Sequence, residues 1–187
     1  MNKNTKHNSQ LILVSLFFAI TCLVFGKDTN IASHSIKIVI PKIALLDIES
    51  VSAKDITLKM VPPSEPGNSL VDAMDKSIWL NVTSVAESGS LRDITVKLDK
   101  PMKGIDLLVV SDVYSGSGYG KWGVPLSEIT ISPNDQTLIN GIKSGVTGDG
   151  AFNGFNLKYS AQIVDSDYEN LHSSTGGDIT VTYTITH

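Results

Sequence analysis

The sequence predicts an all-β fold, an antiparallel β-sandwich of two sheets with about nine strands. Apolar and polar residues alternate in most segments that follow residue 27, and a period of two places successive side chains on opposite faces of a strand. Clusters of Gly and Pro separate these segments, as turns between strands require. Helical spacing is confined to one short stretch, so the sequence does not favour helices packed on the sheets.

Six segments have the alternation of half-buried strands. They are SIKIVI (Ile36, Ile38, Ile40), DITLKM (Ile56, Leu58, Met60), SIWLNV (Ile78, Leu80, Val82), DITVKL (Ile94, Val96, Leu98), SEITIS (Ile129, Ile131) and NLKYSAQIV (Leu157, Tyr159, Ala161, Ile163). The segment IDLLVVSDVY, residues 105–114, is apolar at both parities in its first half and predicts a more central strand, covered on both faces. NSLVDAMDKS, residues 68–77, is the one segment where we predict a helical turn.

The closing segment DITVTYTITH predicts a last strand with one apolar and one hydroxyl face. Ile179, Val181, Tyr183 and Ile185 alternate with four threonines, whose branched Cβ atoms suit a pleated strand. Two arrangements remain open. The strand either pairs with an early strand, or lies at an edge where its free N–H and C=O groups are available to another chain.

The N-terminus predicts export. A basic start with Lys3 and Lys6 precedes an uncharged apolar run over residues 11–26, which is shorter than the roughly 20 residues of a membrane-spanning helix. This is typical of a signal peptide, with Val24 and Gly26 at the −3 and −1 positions of a cleavage site. We therefore predict a signal peptide over 1–26 and a single sandwich domain over 27–187, in a protein that is secreted, periplasmic or at the cell surface. An uncleaved anchor and a lipid on Cys22 are the alternatives, although Thr21 fits a lipidation signal badly.

Charge and cysteine content limit the classes of partner. Without Lys3 and Lys6 the 15 basic residues become 13, against 19 acidic residues, which gives a net charge of −6 with histidine neutral. Nucleic acids and anionic membrane surfaces require a basic face, so neither is an expected partner, and we expect no membrane insertion after cleavage. The single cysteine is Cys22, so a chain cut after Gly26 uses no disulfide even where its compartment permits one.

No catalytic or cofactor motif stands out. GSGYGKWG, residues 116–123, has spaced glycines, but Lys121 is followed by Trp122 and not by the Ser or Thr of a phosphate-binding loop. It is interpreted as a long flexible loop between strands. The chain has no G-x-S-x-G elbow, so we predict a protein that is not an enzyme and uses no cofactor. A Ser-His-Asp triad from distant segments is the remaining enzymatic alternative.

We also predict no metal site. Asp165, Asp167 and Glu169 share one parity, and Asp149 lies in a glycine-rich segment, but the spacing of a calcium loop is absent. A solvated turn is the favoured interpretation, and calcium is the alternative. The histidines do not have the spacing of zinc ligands.

Aromatic residues are the candidate ligand or interface residues. Tyr114, Tyr119 and Trp122 lie within nine residues on a segment that buries them with difficulty, and Trp79 points away from Ile78 and Leu80 in the predicted strand. Exposed aromatics form sugar-binding platforms and subunit contacts. The alternative is that a neighbouring loop covers them.

The predicted signal peptide and the segments IWLNVTS, ITVKLDKPMKGIDLLV, QTLINGIKSGVTGDG and LKYSAQIV…ITVTYTIT together resemble uncharacterised small secreted all-β proteins of Gram-negative bacteria. More distantly, they are similar to fimbrial subunits and adhesin domains. The resemblance covers most of residues 35–187, implies an immunoglobulin-like sandwich and export, and assigns no functional residue.

Fimbrial subunits of the chaperone–usher type join when an extended segment of one subunit completes the sheet of the next. Either residues 34–40 or the last strand, with Ile179, Val181, Tyr183 and Ile185, has the required alternation. Both segments are more simply interpreted as strands of their own domain. Two features differ from such subunits: no disulfide is expected, and only Lys27–Ser33 precede the first predicted strand.

The leading hypothesis is therefore an exported surface component, structural or adhesive, whose partner is itself or another surface protein at the edge strands. The alternative is a secreted carbohydrate-binding module whose partner is a glycan, bound by Trp79, Tyr119 and Trp122.

Overall fold

The structure is a computed structural model that describes residues 30–173 and 177–186. Contacts divide the chain into a unit that ends at Val39 and a second that begins at Ile40. The described part of the first unit, residues 30–39, contains no regular secondary structure. The signal peptide, Cys22 and the cleavage site lie outside the described residues.

The second unit is an antiparallel two-sheet sandwich, which confirms the predicted fold class. In chain order its strands are β1 (Ile43–Ser50), β2 (Ala73–Val85), β3 (Arg92–Leu98), β4 (Ile105–Ser111), β5 (Tyr119–Gly120), β6 (Val124–Pro125), β7 (Ile129–Thr130), β8 (Gln136–Ile142), β9 (Gly145–Val146), β10 (Phe155–Ile163) and β11 (Val181–Ile185). The larger sheet has the order β5-β9-β2-β10-β4-β7, with β1 also paired to β2, and the smaller has the order β11-β3-β8-β6. The described residues thus form 11 strands, more than the predicted nine because four of them are two-residue strands in loops.

The core lies between the inward faces of the two sheets. Leu80 and Phe155 from the larger sheet and Ile94 and Leu138 from the smaller one are completely buried in one cluster. Complete burial of such a side chain contributes about 1.5–3 kcal/mol. This inward alternation is the physical reason that the period-two segments form strands.

Four predicted strands are confirmed by β2, β3, β10 and β11. Their alternating apolar residues are the buried or half-buried ones, as in β3, where Ile94, Val96 and Leu98 face the core. β11 pairs with β3 and lies at the end of the smaller sheet. Its threonines are exposed and Ile185 is buried, so the edge alternative applies to the closing strand.

Two other predicted strands are shorter or less covered than expected. β4 lies between β10 and β7, with Val109 buried and most outward side chains only half-buried. Ile129 begins β7, which is only two residues long, while the following Ile131 is buried in the core.

Three expectations are wrong. Residues 35–40 form no strand, and β1 begins only after Pro41 and Lys42. Residues 55–60 also form no strand, although Ile56 and Leu58 pack on the core with the predicted alternation, because burial alone does not supply a hydrogen-bonded partner. The expected helical turn at 68–77 is overridden because β2 extends back to Ala73 and pairs with β10.

Two strands that the pattern did not indicate are β1 and β8. β1 has Ala44, Leu45 and Leu46 in succession, so its periodicity is masked, although Leu45 is exposed. β8 buries the adjacent residues Leu138 and Ile139, because its register with β3 shifts at a bulge. A bulge places neighbouring residues on one face and breaks the period of two.

Only one short helix is present in the described residues, the 3-10 helix Asp165–Asn170. It contains the acidic cluster, and the Oδ2 of Asp167 accepts a hydrogen bond of 2.6 Å from the Gly104 N–H. Asp167 therefore anchors this turn to the loop before β4. No helix in the described residues is long and apolar enough to cross a membrane.

Candidate functional site

The four aromatic residues singled out in the sequence lie in different environments. Tyr114 and Trp122 contact each other, with ring centroids 4.4 Å apart and planes inclined by 34°. The ring centroid of Tyr114 also lies 6.2 Å from that of Phe155, in an edge-to-face arrangement. Tyr114 and Trp122 both pack on the core cluster. Both rings are therefore partly covered by the protein itself.

Tyr119 is 77% exposed. It lies on β5, which pairs only with the two-residue strand β9 in the described structure, and it forms no ring contact with the other aromatic residues. The structure therefore does not bring Tyr119, Trp122 and Trp79 together into one platform.

Trp79 instead lies beside Phe152, a residue that the sequence pattern did not indicate. Their ring centroids are 5.6 Å apart and their planes are inclined by 58°. Trp79 is half-buried on the outward face of β2, as its parity predicted, and Phe152 is 68% exposed. We call these two side chains the aromatic patch.

The backbone at Phe152 adopts an unfavourable conformation. Its φ of +69° makes it the one non-glycine residue with positive φ in the described parts of the chain. This left-handed region brings Cβ close to the backbone and disfavours an aromatic residue by roughly 1–2 kcal/mol. Gly, Asn or Asp would be expected there, so the ring is presented at the expense of local stability.

The loop that carries Phe152, residues 147–154, is held to the sandwich by side-chain hydrogen bonds. Thr147 is buried, and its Oγ1 accepts the Val82 N–H at 2.9 Å. The Nδ2 of Asn153 donates to the Asp149 carbonyl at 2.7 Å, while its Oδ1 accepts the Ser117 N–H at 3.0 Å. Phe152 is therefore positioned by its supporting loop.

Residues of β2 and β1 complete the support and the border of the patch. The Nδ2 of Asn81, on β2, donates to the Gly150 carbonyl at 3.2 Å. Glu49 of β1 is directly opposite Trp79, and Asp47 is opposite Asn81. Directly opposed residues of antiparallel strands share a face, so two carboxylates line one side of the patch.

The two carboxylates share one lysine. The Nζ of Lys54 lies 3.3 Å from Asp47 Oδ1 and 3.7 Å from Glu49 Oε1. Desolvation acts to raise the pKa of Asp47, but hydrogen bonds from Lys54 and the Ile48 N–H outweigh it and lower the pKa overall. Asp47 therefore stays ionised as a hydrogen-bond acceptor, and the lysine charge is already engaged.

A second type of surface is the apolar N-terminal segment, residues 31–40. Ile31, Ile36, Ile38, Val39 and Ile40 are between 73% and 81% exposed. None of them belongs to a strand. Such a concentration of exposed large apolar side chains is characteristic of interaction surfaces.

The edge of β11 offers a complementary row of backbone groups. The Asp99 N–H donates to the Thr180 carbonyl and the Thr186 N–H donates to the Asp93 carbonyl. Hydrogen-bonded and non-hydrogen-bonded pairs alternate along an antiparallel ladder. The N–H and C=O groups of Val181, Tyr183 and Ile185 consequently point away from β3, to the side on which the smaller sheet has no further strand in the described residues. Strand β1 of the larger sheet also lies close to β11.

An open cavity of about 520 Å³ lies elsewhere, lined by Glu87, three serines and the two lysines Lys121 and Lys143 among others. Glu87 is paired with Lys42 at 3.5 Å. Within the described residues, no group of three or more His, Cys, Asp or Glu side chains has the arrangement of a metal site.

Comparisons with protein-family models, curated proteins and solved structures found no match for this chain. The features of this chain that bear on its function are therefore the aromatic patch, the N-terminal segment and the β11 edge.

Proposed function

We propose that this protein is an exported, non-enzymatic β-sandwich that acts as a structural component of a cell surface and joins further copies by strand addition. The observation that carries the proposal is the exposure of the apolar N-terminal segment. Each large apolar side chain that leaves water on assembly contributes about 1.5–3 kcal/mol. Covering this segment with a partner therefore supplies a driving force for association.

The alternation of the N-terminal segment supports strand addition. Ile36, Ile38 and Ile40 share one parity, whereas Lys37 and Val39 share the other. A strand that adds to a sheet edge gains main-chain hydrogen bonds from its whole length and specificity from alternate side chains. The first strand begins at Ile43, so residues 27–42 precede it, a longer extension than the sequence pattern predicted.

The edge of β11 is the proposed acceptor in the neighbouring copy. The N–H and C=O groups of Val181, Tyr183 and Ile185 that point away from β3 provide the ladder, and a strand at the end of a sheet is a template for another chain. The segment of one copy would extend the β11-β3-β8-β6 sheet of the next. Head-to-tail contacts of this kind form open chains or closed rings.

The donor segment can be tested by its parity. We expect the protein purified after export to form concentration-dependent oligomers in light scattering after size exclusion. Ile38→Asp places a charge on the inward face of the added strand and should abolish the oligomers. Val39→Asp is the matched control on the opposite face and should retain them.

The acceptor edge can be tested with Val181→Pro. This substitution removes an N–H that points to the open edge and leaves the β3 ladder intact, and proline is tolerated at such edge positions. We expect a folded monomer that still donates its own segment to wild-type protein. A strictly monomeric wild type, or equal effects of Ile38→Asp and Val39→Asp, would contradict the proposal.

A further inference from the structure

We infer that the aromatic patch is a binding site for an uncharged pyranose sugar, with Phe152 and Trp79 as its stacking surfaces. This inference is independent of strand addition, because Trp79 is on β2 of the larger sheet and the loop 147–154 connects two strands of that sheet, β9 and β10, whereas β11 is in the smaller one.

The conformation of Phe152 is the first argument. An aromatic side chain in the left-handed region destabilises the loop. Because the ring is 68% exposed, its burial stabilises the loop too little to offset this cost. Backbone strain of this kind persists where the surroundings impose it, and it is concentrated at ligand-binding sites. Here Thr147, Asn153 and Asn81 impose it through the hydrogen bonds of the loop.

The shape of the patch is the second argument. Two rings inclined by 58° with centroids 5.6 Å apart form a shallow apolar notch on a rigid support. An aromatic side chain buries about 150–250 Å² when it is fully covered, and a standard protein interface buries about 800 Å² on each partner. The notch therefore suits a small ring better than the surface of a protein.

The border of the patch is the third argument, because it selects the chemistry of that ring. Glu49 and Asp47 lie beside Trp79 and offer carboxylate oxygens, which accept hydrogen bonds from hydroxyl groups. A pyranose has a face of C–H groups for the rings and hydroxyl groups around its edge for the carboxylates. The same carboxylates repel an anionic ligand, and Lys54 is already bound between them, so the preferred sugar carries no charge.

The test measures binding of cellohexaose, chitohexaose and mannohexaose to the purified full chain by calorimetry, with a sulfated heparin oligosaccharide as the anionic comparison. We expect at least one neutral oligosaccharide to bind and the heparin fragment not to bind. In a Trp122→Phe background, Trp79 is the one remaining tryptophan, and its emission should shift on titration with the bound sugar.

Phe152→Asn is the decisive variant. Asn tolerates the left-handed region, so the melting temperature should stay the same or rise while sugar affinity falls about two- to tenfold, as expected when one stacked ring is removed. Tyr119→Ser removes an equally exposed ring elsewhere and should leave binding unchanged.

Three outcomes would overturn the inference. They are failure of all three neutral oligosaccharides to bind, unchanged affinity in Phe152→Asn, and a loss of self-association in Phe152→Asn that shows a second copy to be the occupant. The assembly tests use other residues, so failure of strand addition would leave this result intact.

Discussion

At the scale of single residues, Tyr159 and Tyr183 link the two sheets through their hydroxyl groups. Their oxygens are 2.5 Å apart, and Tyr159 is on β10 while Tyr183 is on β11. Burial raises the pKa of Tyr159 to about 12. Burial, together with the neighbouring Tyr159, also raises the pKa of Tyr183 well above its ordinary value.

These pKa shifts predict a loss of stability at alkaline pH. Both hydroxyls stay protonated in the folded protein above pH 10, where tyrosines of the unfolded chain ionise. The stability that the two protonated tyrosines contribute to the folded protein is therefore fully present below pH 10. It is lost as the pH rises toward 12, and for Tyr159 alone the free energy of unfolding falls by about 3 kcal/mol. Urea unfolding at pH 8, 10 and 11.5 measures this decrease.

Phenylalanine variants separate the pair from general alkaline effects. The double variant Tyr159→Phe/Tyr183→Phe removes both hydroxyls and should flatten the pH dependence, whereas Tyr168→Phe removes an exposed hydroxyl of the 3-10 helix and should not. An equally steep decrease in the double variant would refute the assignment. Either single variant leaves one buried hydroxyl without its partner and should lose about 1–3 kcal/mol at pH 8.

At this scale the sequence predicted Trp79 but not its partner. Parity alone placed Trp79 on an outward face, because Ile78 and Leu80 had to face the core. Phe152 lies in a segment of glycines without alternation, and its contact with Trp79 depends on hydrogen bonds between residues far apart in the chain, such as that of Asn81 with Gly150. The only local signal was an aromatic residue at a position flanked by Gly150 and Gly154.

At the scale of elements, the loop 147–154 depends on one close approach to β2. Gly154 has a φ of +91°. A Cβ on Gly154 would collide with the carbonyl of Leu80 and lie 2.9 Å from Asn81 Oδ1. The absence of a side chain here allows the loop to cross β2 and to place Phe152 on Trp79.

Alanine substitutions at two glycines test this close approach. A left-handed alanine costs roughly 1 kcal/mol, and Gly154→Ala should destabilise the protein by more than this because the backbone at Leu80 or in the loop must also move. The substitution should also release Phe152 from its contact with Trp79. Gly150→Ala is the matched control: its φ is +83° but its Cβ would meet nothing within 4 Å. Thermal unfolding and Trp79 fluorescence compare the two, and similar losses would contradict this account of the loop.

Elements with a regular period were predictable and irregular ones were not. β3 and β10 follow from their alternation because each has one face against the core. Residues 55–60 have the same alternation and pack on the core, yet they form no strand. Periodicity reports which side chains are buried, and only the three-dimensional arrangement decides whether a backbone partner is present.

At the scale of the whole molecule, the sandwich depends on its packed core and has no cross-links. The described residues include no cysteine, and the whole chain has only Cys22. A domain of this size buries enough surface to be stable without disulfides. The end strand β11 is then the part of the fold at which we propose that another chain adds, because the core fixes the two sheets and β11 pairs with only one strand in the described residues.

The position of the single cysteine leads to a prediction about the proposed export. If cleavage follows Gly26, the secreted chain has no thiol, so its melting temperature should be the same with and without dithiothreitol and Ellman's reagent should detect no sulfhydryl after unfolding. Mass spectrometry should give the mass of residues 27–187. Retention of Cys22, with a free thiol or an attached lipid, would contradict cleavage at this position. An attached lipid would also tether the segment 31–40 close to a membrane, where fewer of its residues could reach a neighbouring copy.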